Sequence, residues 1–166
     1  MGTSFTCIAV LGKGDPARSP DARLRFDPPN GWRVYTPLDR SARPTAVEQI
    51  ASALIRGPNT LAVVGFVQDG DWAYIAGITP EGVVARFIIH PDGAEDYAEG
   101  QEVLSLASAD RAAEADRLAM LAGLAGRGGL TAERLLDVAD VDSPYAEEPF
   151  FALFEELGIE VPDDLY

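Results

Sequence analysis

The chain has one cysteine, one histidine and, among 13 basic residues, a single lysine. Each scarcity excludes something. Cys7 alone forms no internal disulfide, so the default compartment is a reducing one, the cytoplasm. With one Cys and one His, zinc sites built from several such ligands are ruled out. A Ser-His-Asp or Cys-His catalytic set would have to use His90. The longest apolar runs, such as Cys7–Leu11, fall far short of the roughly 20 residues that span a bilayer. No basic, apolar leader pattern opens the chain, so no signal peptide is expected. The near-absence of lysine beside 12 arginines and abundant Ala and Gly reads as the coding bias of a GC-rich, bacterial genome.

Motifs are scarce too. Gly12-Lys13-Gly14 follows an apolar run, but no Ser or Thr completes a phosphate loop, and the segment reads as a turn. Neither GxGxxG nor GxSxG occurs. Asp92, Glu95, Asp96 and Glu99 form one local oxygen cluster, and Asp69 with Asp71 a smaller one, without the spacing of a calcium loop. No catalytic residue, metal or cofactor is assigned on this basis.

What the chain has is length enough for a core and a lopsided charge. Its 166 residues, 47% of them hydrophobic, suit one compact unit. The net charge is −14. Residues 1–90 carry nine basic and eight acidic side chains, a net of +1; residues 91–166 carry four and 19, a net of −15. Such a surface repels phosphate backbones and anionic membranes, and it steers basic proteins toward itself.

The pattern predicts an α+β fold. Phe5–Leu11 reads as a strand. Arg23–Phe26 and Trp32–Thr36 flank Pro28-Pro29-Asn30-Gly31 and read as a hairpin. Thr45 and Glu48 have the spacing of a capping box, followed by an apolar stripe at Val47, Ile50, Ala51 and Leu54 and a stop at Gly57-Pro58. Leu61–Val67, Trp72–Ile78 and Val83–Ile89, joined by loops of about four residues, predict an antiparallel meander. Both faces of its middle strand are apolar, so both need covering. Helices follow: one capped by Ser108 and running to about Ala125, one capped by Thr131, and a last one with Pro149 in its first turn. Gly158 and Ile159 are placed for a Schellman cap. The expected architecture is an antiparallel sheet of five or six strands with one inserted helix and about three C-terminal helices. A β-rich unit over 1–104 and an acidic helical segment over 105–166, packed on it, complete the expectation.

Two site readings follow. In the first, the last helix carries a partner-binding surface of Glu147, Glu148, Phe151, Glu155 and Glu156. Phe150, Leu153, Phe154 and Leu157 form the stripe that docks on the chain's own sheet, and Phe151 widens it. The protein would be a non-enzymatic module that neutralises or escorts a basic partner, as immunity proteins, inhibitors and chaperones do. In the second reading, Trp72, Tyr74, Arg86 and His90 line a cleft for a small ligand or substrate. A scaffold role is the third alternative. Oligomeric state is not legible.

Overall fold

The computed structural model describes residues 4–12, 19–29, 31–55 and 57–165. Six strands form one antiparallel sheet: β1 (Phe5–Leu11), β2 (Ala22–Phe26), β3 (Trp32–Pro37), β4 (Leu61–Gln68), β5 (Trp72–Thr79) and β6 (Gly82–Ile89). Their spatial order is β2-β3-β1-β4-β5-β6. Helix α1 (Pro44–Leu54) connects β3 to β4; α2 (Pro91–Ala94), α3 (Ala98–Leu106), α4 (Arg111–Leu124), α5 (Ala132–Ala139) and α6 (Glu147–Glu156) follow the sheet. The α+β expectation holds, meander and hairpin included.

Successive strand residues point to opposite faces, and here both faces are buried. Ile8, Val64, Tyr74, Ala76 and Ile78 lie beneath α1, with Val103 of α3 on the same side. Cys7, Ala9, Val63, Ile75 and Phe87 lie beneath α4, α5 and α6. The meander therefore sits in the middle layer of a helix–sheet–helix sandwich, and the C-terminal helices cover the same sheet that the front half of the chain builds.

Turn chemistry closes the meander. Asp69 and Gly70 have φ of 52° and 73°, the left-handed pair that suits a tight hairpin between β4 and β5. At the C-terminus of α6, Gly158 has φ of 78°. Gly158 N–H donates to Glu155 O at 2.9 Å and Ile159 N–H to Phe154 O at 2.8 Å, the two bonds of a Schellman cap. Ile159 folds back into the core, 3% exposed.

Three helix boundaries differ from the sequence reading. At α1 the cap is Arg43, with Pro44 at the first helical position, not Thr45. Thr45 Oγ1 donates instead to Glu102 Oε1 of α3 at 2.6 Å. Glu48 is drawn beneath the helix by Arg86 and Tyr74, so tertiary partners replace the local capping box. Helix α1 ends at Leu54 with Ile55 extended, before Gly57-Pro58 is reached. At α4 the cap is Asp110, whose carboxylate accepts from the N–H groups of Ala112 and Ala113 at 3.0 and 3.3 Å; Ser108 Oγ accepts from Asp110 N–H. A carboxylate at the positive end of the helix outcompetes the hydroxyl two residues earlier. The acidic stretch after Pro91, to which the sequence reading assigns no element, contains α2 and α3.

One local feature of the sheet sets where a cleft opens. β1 pairs with β4 from Leu11–Leu61 down to Phe5–Val67. β3 pairs with β2 out to Ala22–Pro37. The ladder between β1 and β3, however, ends at Ile8–Tyr35. Both strands continue, but apart. Pro37 has no N–H to offer either neighbour. The sheet thus forks at the end where β1 begins and β3 finishes.

Candidate functional site

The two oxygen clusters of the sequence become one in space. The β4–β5 turn carries Asp69 and Asp71, both exposed. Tyr97, at the start of α3, donates its hydroxyl to Asp71 Oδ2. That hydrogen bond, then burial, then the charges of Asp71, Asp69 and Asp96, push the Tyr97 phenol up to about 12. So Asp69, Asp71 and Asp96 surround a single phenol. Gly93 of α2 lies directly over the Asp71 carbonyl, leaving no room there for a Cβ. On the other side, Ala146 N–H donates to Gly70 O at 2.7 Å, which anchors the N-terminus of α6 to the same turn. Glu147 and Glu148 therefore belong to the same end of the molecule as Asp69, Asp71, Asp92, Glu95 and Asp96.

None of these seven carboxylates enters an ion pair among the described residues. The ion pairs that do form use other acids: Asp27, Glu48, Glu102, Glu114, Asp140, Glu156 and Asp164. Two aromatics accompany the acidic end, Tyr97 and Tyr145, the latter 44% exposed. Among the described residues, no group of three or more His, Cys, Asp or Glu has the geometry to hold a metal ion.

The five residues assigned to the last helix are divided by the structure. Glu147 and Glu148 sit at the N-terminus of α6, where negative charge is favoured; Glu148 accepts from Ser143 Oγ at 2.8 Å. Glu155 and Glu156 lie at the other end, about 12 Å along the axis at 1.5 Å per residue. Glu155 is exposed, whereas Glu156 accepts from Arg134 Nε and an Nη at 2.9 and 2.6 Å. Phe151 is half-buried and stacks on Phe5, with centroids 5.4 Å apart and planes 4° from parallel. Phe150 and Phe154 are buried. Helix α6 thus presents its N-terminal carboxylates to the acidic end and commits its aromatics to the fold.

Of the other four residues, Trp72 and Tyr74 are fully buried beneath α1 and α3. Tyr74 donates its hydroxyl to Glu48 Oε1, and Arg86 grips both oxygens of Glu48 from Nε and an Nη at 3.0 and 3.1 Å. Burial, then the adjacent Glu48 carboxylate, raises the Tyr74 phenol well above its ordinary value. The bond to Glu48 likewise raises the Arg86 guanidinium. The arrangement is an ionic cluster in which Glu48 and Tyr74 are buried and Arg86 is partly exposed. His90 ends β6 in a left-handed conformation (φ 54°) and starts α2 through its carbonyl, which accepts from Gly93 N–H at 3.0 Å.

The larger cleft lies elsewhere. It occupies about 600 Å³ at the fork between β1 and β3, and its walls include Thr6, Thr36, Arg25, Arg40, Phe66 and Asp164. A smaller one of about 220 Å³ runs along the β6 edge, and Arg86 is the only member of the Trp72–Tyr74–Arg86–His90 set to line either. The β6 edge itself is covered by α4. Arg86 N–H donates to Glu114 Oε2, and Ile88 O accepts from Arg111 Nε at 3.3 Å, so side chains satisfy outward backbone groups that would otherwise invite another strand.

Sequence reasoning found both acidic clusters but could not join them, because the link is a tertiary bond between Tyr97 and Asp71. Tyr97 itself carried no signal. The fork carried one faint signal, Pro37 at a strand end. Comparison with family models, with curated proteins and with solved structures returns no match for this chain.

Proposed function

We propose that the chain is a non-enzymatic binding module that neutralises or escorts a basic partner protein, and that it receives this partner at the end built from the β4–β5 turn, α2, the start of α3 and the N-terminus of α6. The observation that carries the reading is the convergence of Asp69, Asp71, Asp92, Glu95, Asp96, Glu147 and Glu148 from separate elements, none of them in an ion pair among the described residues. Holding so many like charges together without counter-charge opposes folding, and a cationic partner removes that cost. The long-range field speeds encounter. Tyr145 and Tyr97 supply the aromatic contact that, once desolvated, sets the lifetime of a complex. A nuclease is one fitting class of target, because carboxylates spaced over a surface imitate a phosphate backbone.

The test compares the native chain with a charge-reversed variant carrying Asp69→Lys, Asp71→Lys, Glu95→Lys and Asp96→Lys. Both are immobilised and challenged with lysate at low and at high salt. The native chain retains a defined basic protein at low salt and releases it as salt screens the field; the variant, still folded by circular dichroism, retains none. Equal retention by both chains refutes the assignment.

A further inference from the structure

Beyond partner recognition at the acidic end, the cleft where β1 and β3 part forms a second site. We infer that the part of it on the α1–α3 face of the sheet binds a small zwitterion of the α-amino-acid class, with its carboxylate on Arg40 and its ammonium on Glu99.

Three observations carry this. First, the cleft of about 600 Å³, the size of an ordinary ligand site, draws on both faces of the sheet, and the faces differ in charge balance. Thr6 is the cross-strand partner of Phe66, and Gln68 lies two residues beyond Phe66, so all three share the face covered by α1 and α3. On the opposite face, beside Val67 and Leu165, an Nη of Arg25 donates to Asp164 Oδ2 at 3.0 Å, so those two charges answer each other. Second, the α1–α3 face holds one charge of each sign with no such answer. Arg40 lines the cleft from the connection between β3 and α1, and Glu99 from the first turn of α3. Three residues further along the same two segments, Arg43 and Glu102 pair at 3.5 Å. Glu99 and Glu102, three apart on one helix, point the same way, toward that connection. Yet neither Arg40 nor Glu99 enters an ion pair among the described residues. Glu99 is half-buried, so its carboxylate has given up water without gaining a counter-charge, and a ligand ammonium removes that cost. Third, two opposite charges that share a cleft without pairing select a ligand carrying both. A simple anion or cation would satisfy one group and be repelled by the other. An α-amino acid carries both charges on one carbon and bridges groups that stand too far apart to pair directly. The Arg40 fork takes its carboxylate by two parallel bonds, while Thr6, Phe66 and Gln68 floor the space beneath its side chain.

The experiment titrates the 15N-labelled chain with L-glutamine and with L-leucine, each also as its N-acetyl form, which lacks the ammonium, and as its C-terminal amide, which lacks the carboxylate. Saturable shifts at the amides of Thr6, Ser41 and Glu99 are expected for a free amino acid, with affinity lowered about tenfold for each blocked form, the loss of one charge-assisted bond. Arg40→Gln abolishes the preference over the amide and keeps that over the N-acetyl form; Glu99→Gln does the converse. A role confined to folding would not sort the two blocked forms in this way. The proposal is overturned if neither amino acid gives a saturable shift at those amides, or if either variant loses both preferences together. It is overturned equally if a blocked form binds as tightly as the free amino acid, which would make this a site for a simple anion or cation. Arg40→Gln leaves capture of a basic partner unchanged, so failure here and failure of the acidic-end reading are separate results.

Discussion

Glu48 shows at the scale of one residue how a local preference yields to tertiary chemistry. Its spacing from Thr45 suits a cap, yet its carboxylate is 5% exposed as a residue and serves Arg86 and Tyr74. Removing one member of a buried ionic cluster strands the others. Glu48→Ala is therefore expected to cost about 3 kcal/mol or more, read as a lowered urea midpoint. Replacing Glu48 and Arg86 together by Leu, with Tyr74→Phe, should recover most of that loss. A Glu48→Ala change below about 1 kcal/mol would mean that water reaches the cluster. Cys7 makes the complementary point. It is wholly buried, and burial lifts its thiol from 9.0 to about 12. The unfolded thiol ionises first as pH rises, so above about 9 the native state holds more protons and loses stability steadily until about 12. Tyr74, also raised, adds to the loss above its ordinary 10.0. Unfolding free energy should fall between pH 9 and 11, and Cys7→Ala should flatten the first part of that fall. A thiol reagent should modify Cys7 only on unfolding.

Among the elements, α6 depends on a notch in the sheet. Gly65 of β4 faces Phe150 and Phe154; a Cβ there would lie 2.5 and 2.7 Å from their Cζ atoms. Rings packed edge to face and tilted, with Phe5–Phe150 centroids 5.3 Å apart and Phe150–Phe154 centroids 4.4 Å apart, have nowhere to retreat. Gly65→Ala should destabilise the chain by about 1–3 kcal/mol through overpacking and speed amide exchange in α6 ahead of the rest. If α6 exchange stays unchanged, the helix is held by contacts other than the phenylalanines. The apolar stripe of α6 was readable from its 3.6-residue period. The notch was not, because a glycine inside a strand signals close approach without saying what approaches.

For the whole molecule, the net charge of −14 opposes compactness, and the acidic end concentrates that opposition. Neutralising Asp69, Asp71, Glu95 and Asp96 as Asn and Gln should raise the melting temperature by a few degrees while abolishing capture of a basic partner. A protein that becomes more stable as it loses binding is holding unfavourable charge for function. If the melting temperature falls instead, those carboxylates stabilise the fold. Added salt should narrow the difference between the two chains, since it screens exposed charge.

Order of the strands and of four of the six helices, the meander, the N-terminal hairpin, the covering of both sheet faces and the cap at Gly158 all follow from short-range pattern: periods of 2 and 3.6, turn residues and cap residues act within a few positions of one another. The tertiary structure alone decided where Glu48 points, which acids stand together and where the cleft opens. Glu48 and Arg86 are 38 residues apart, Tyr97 and Asp71 26, Asp164 and Arg25 139. Contacts over such separations are set by how layers stack and where a ladder stops, and a linear pattern holds no record of either.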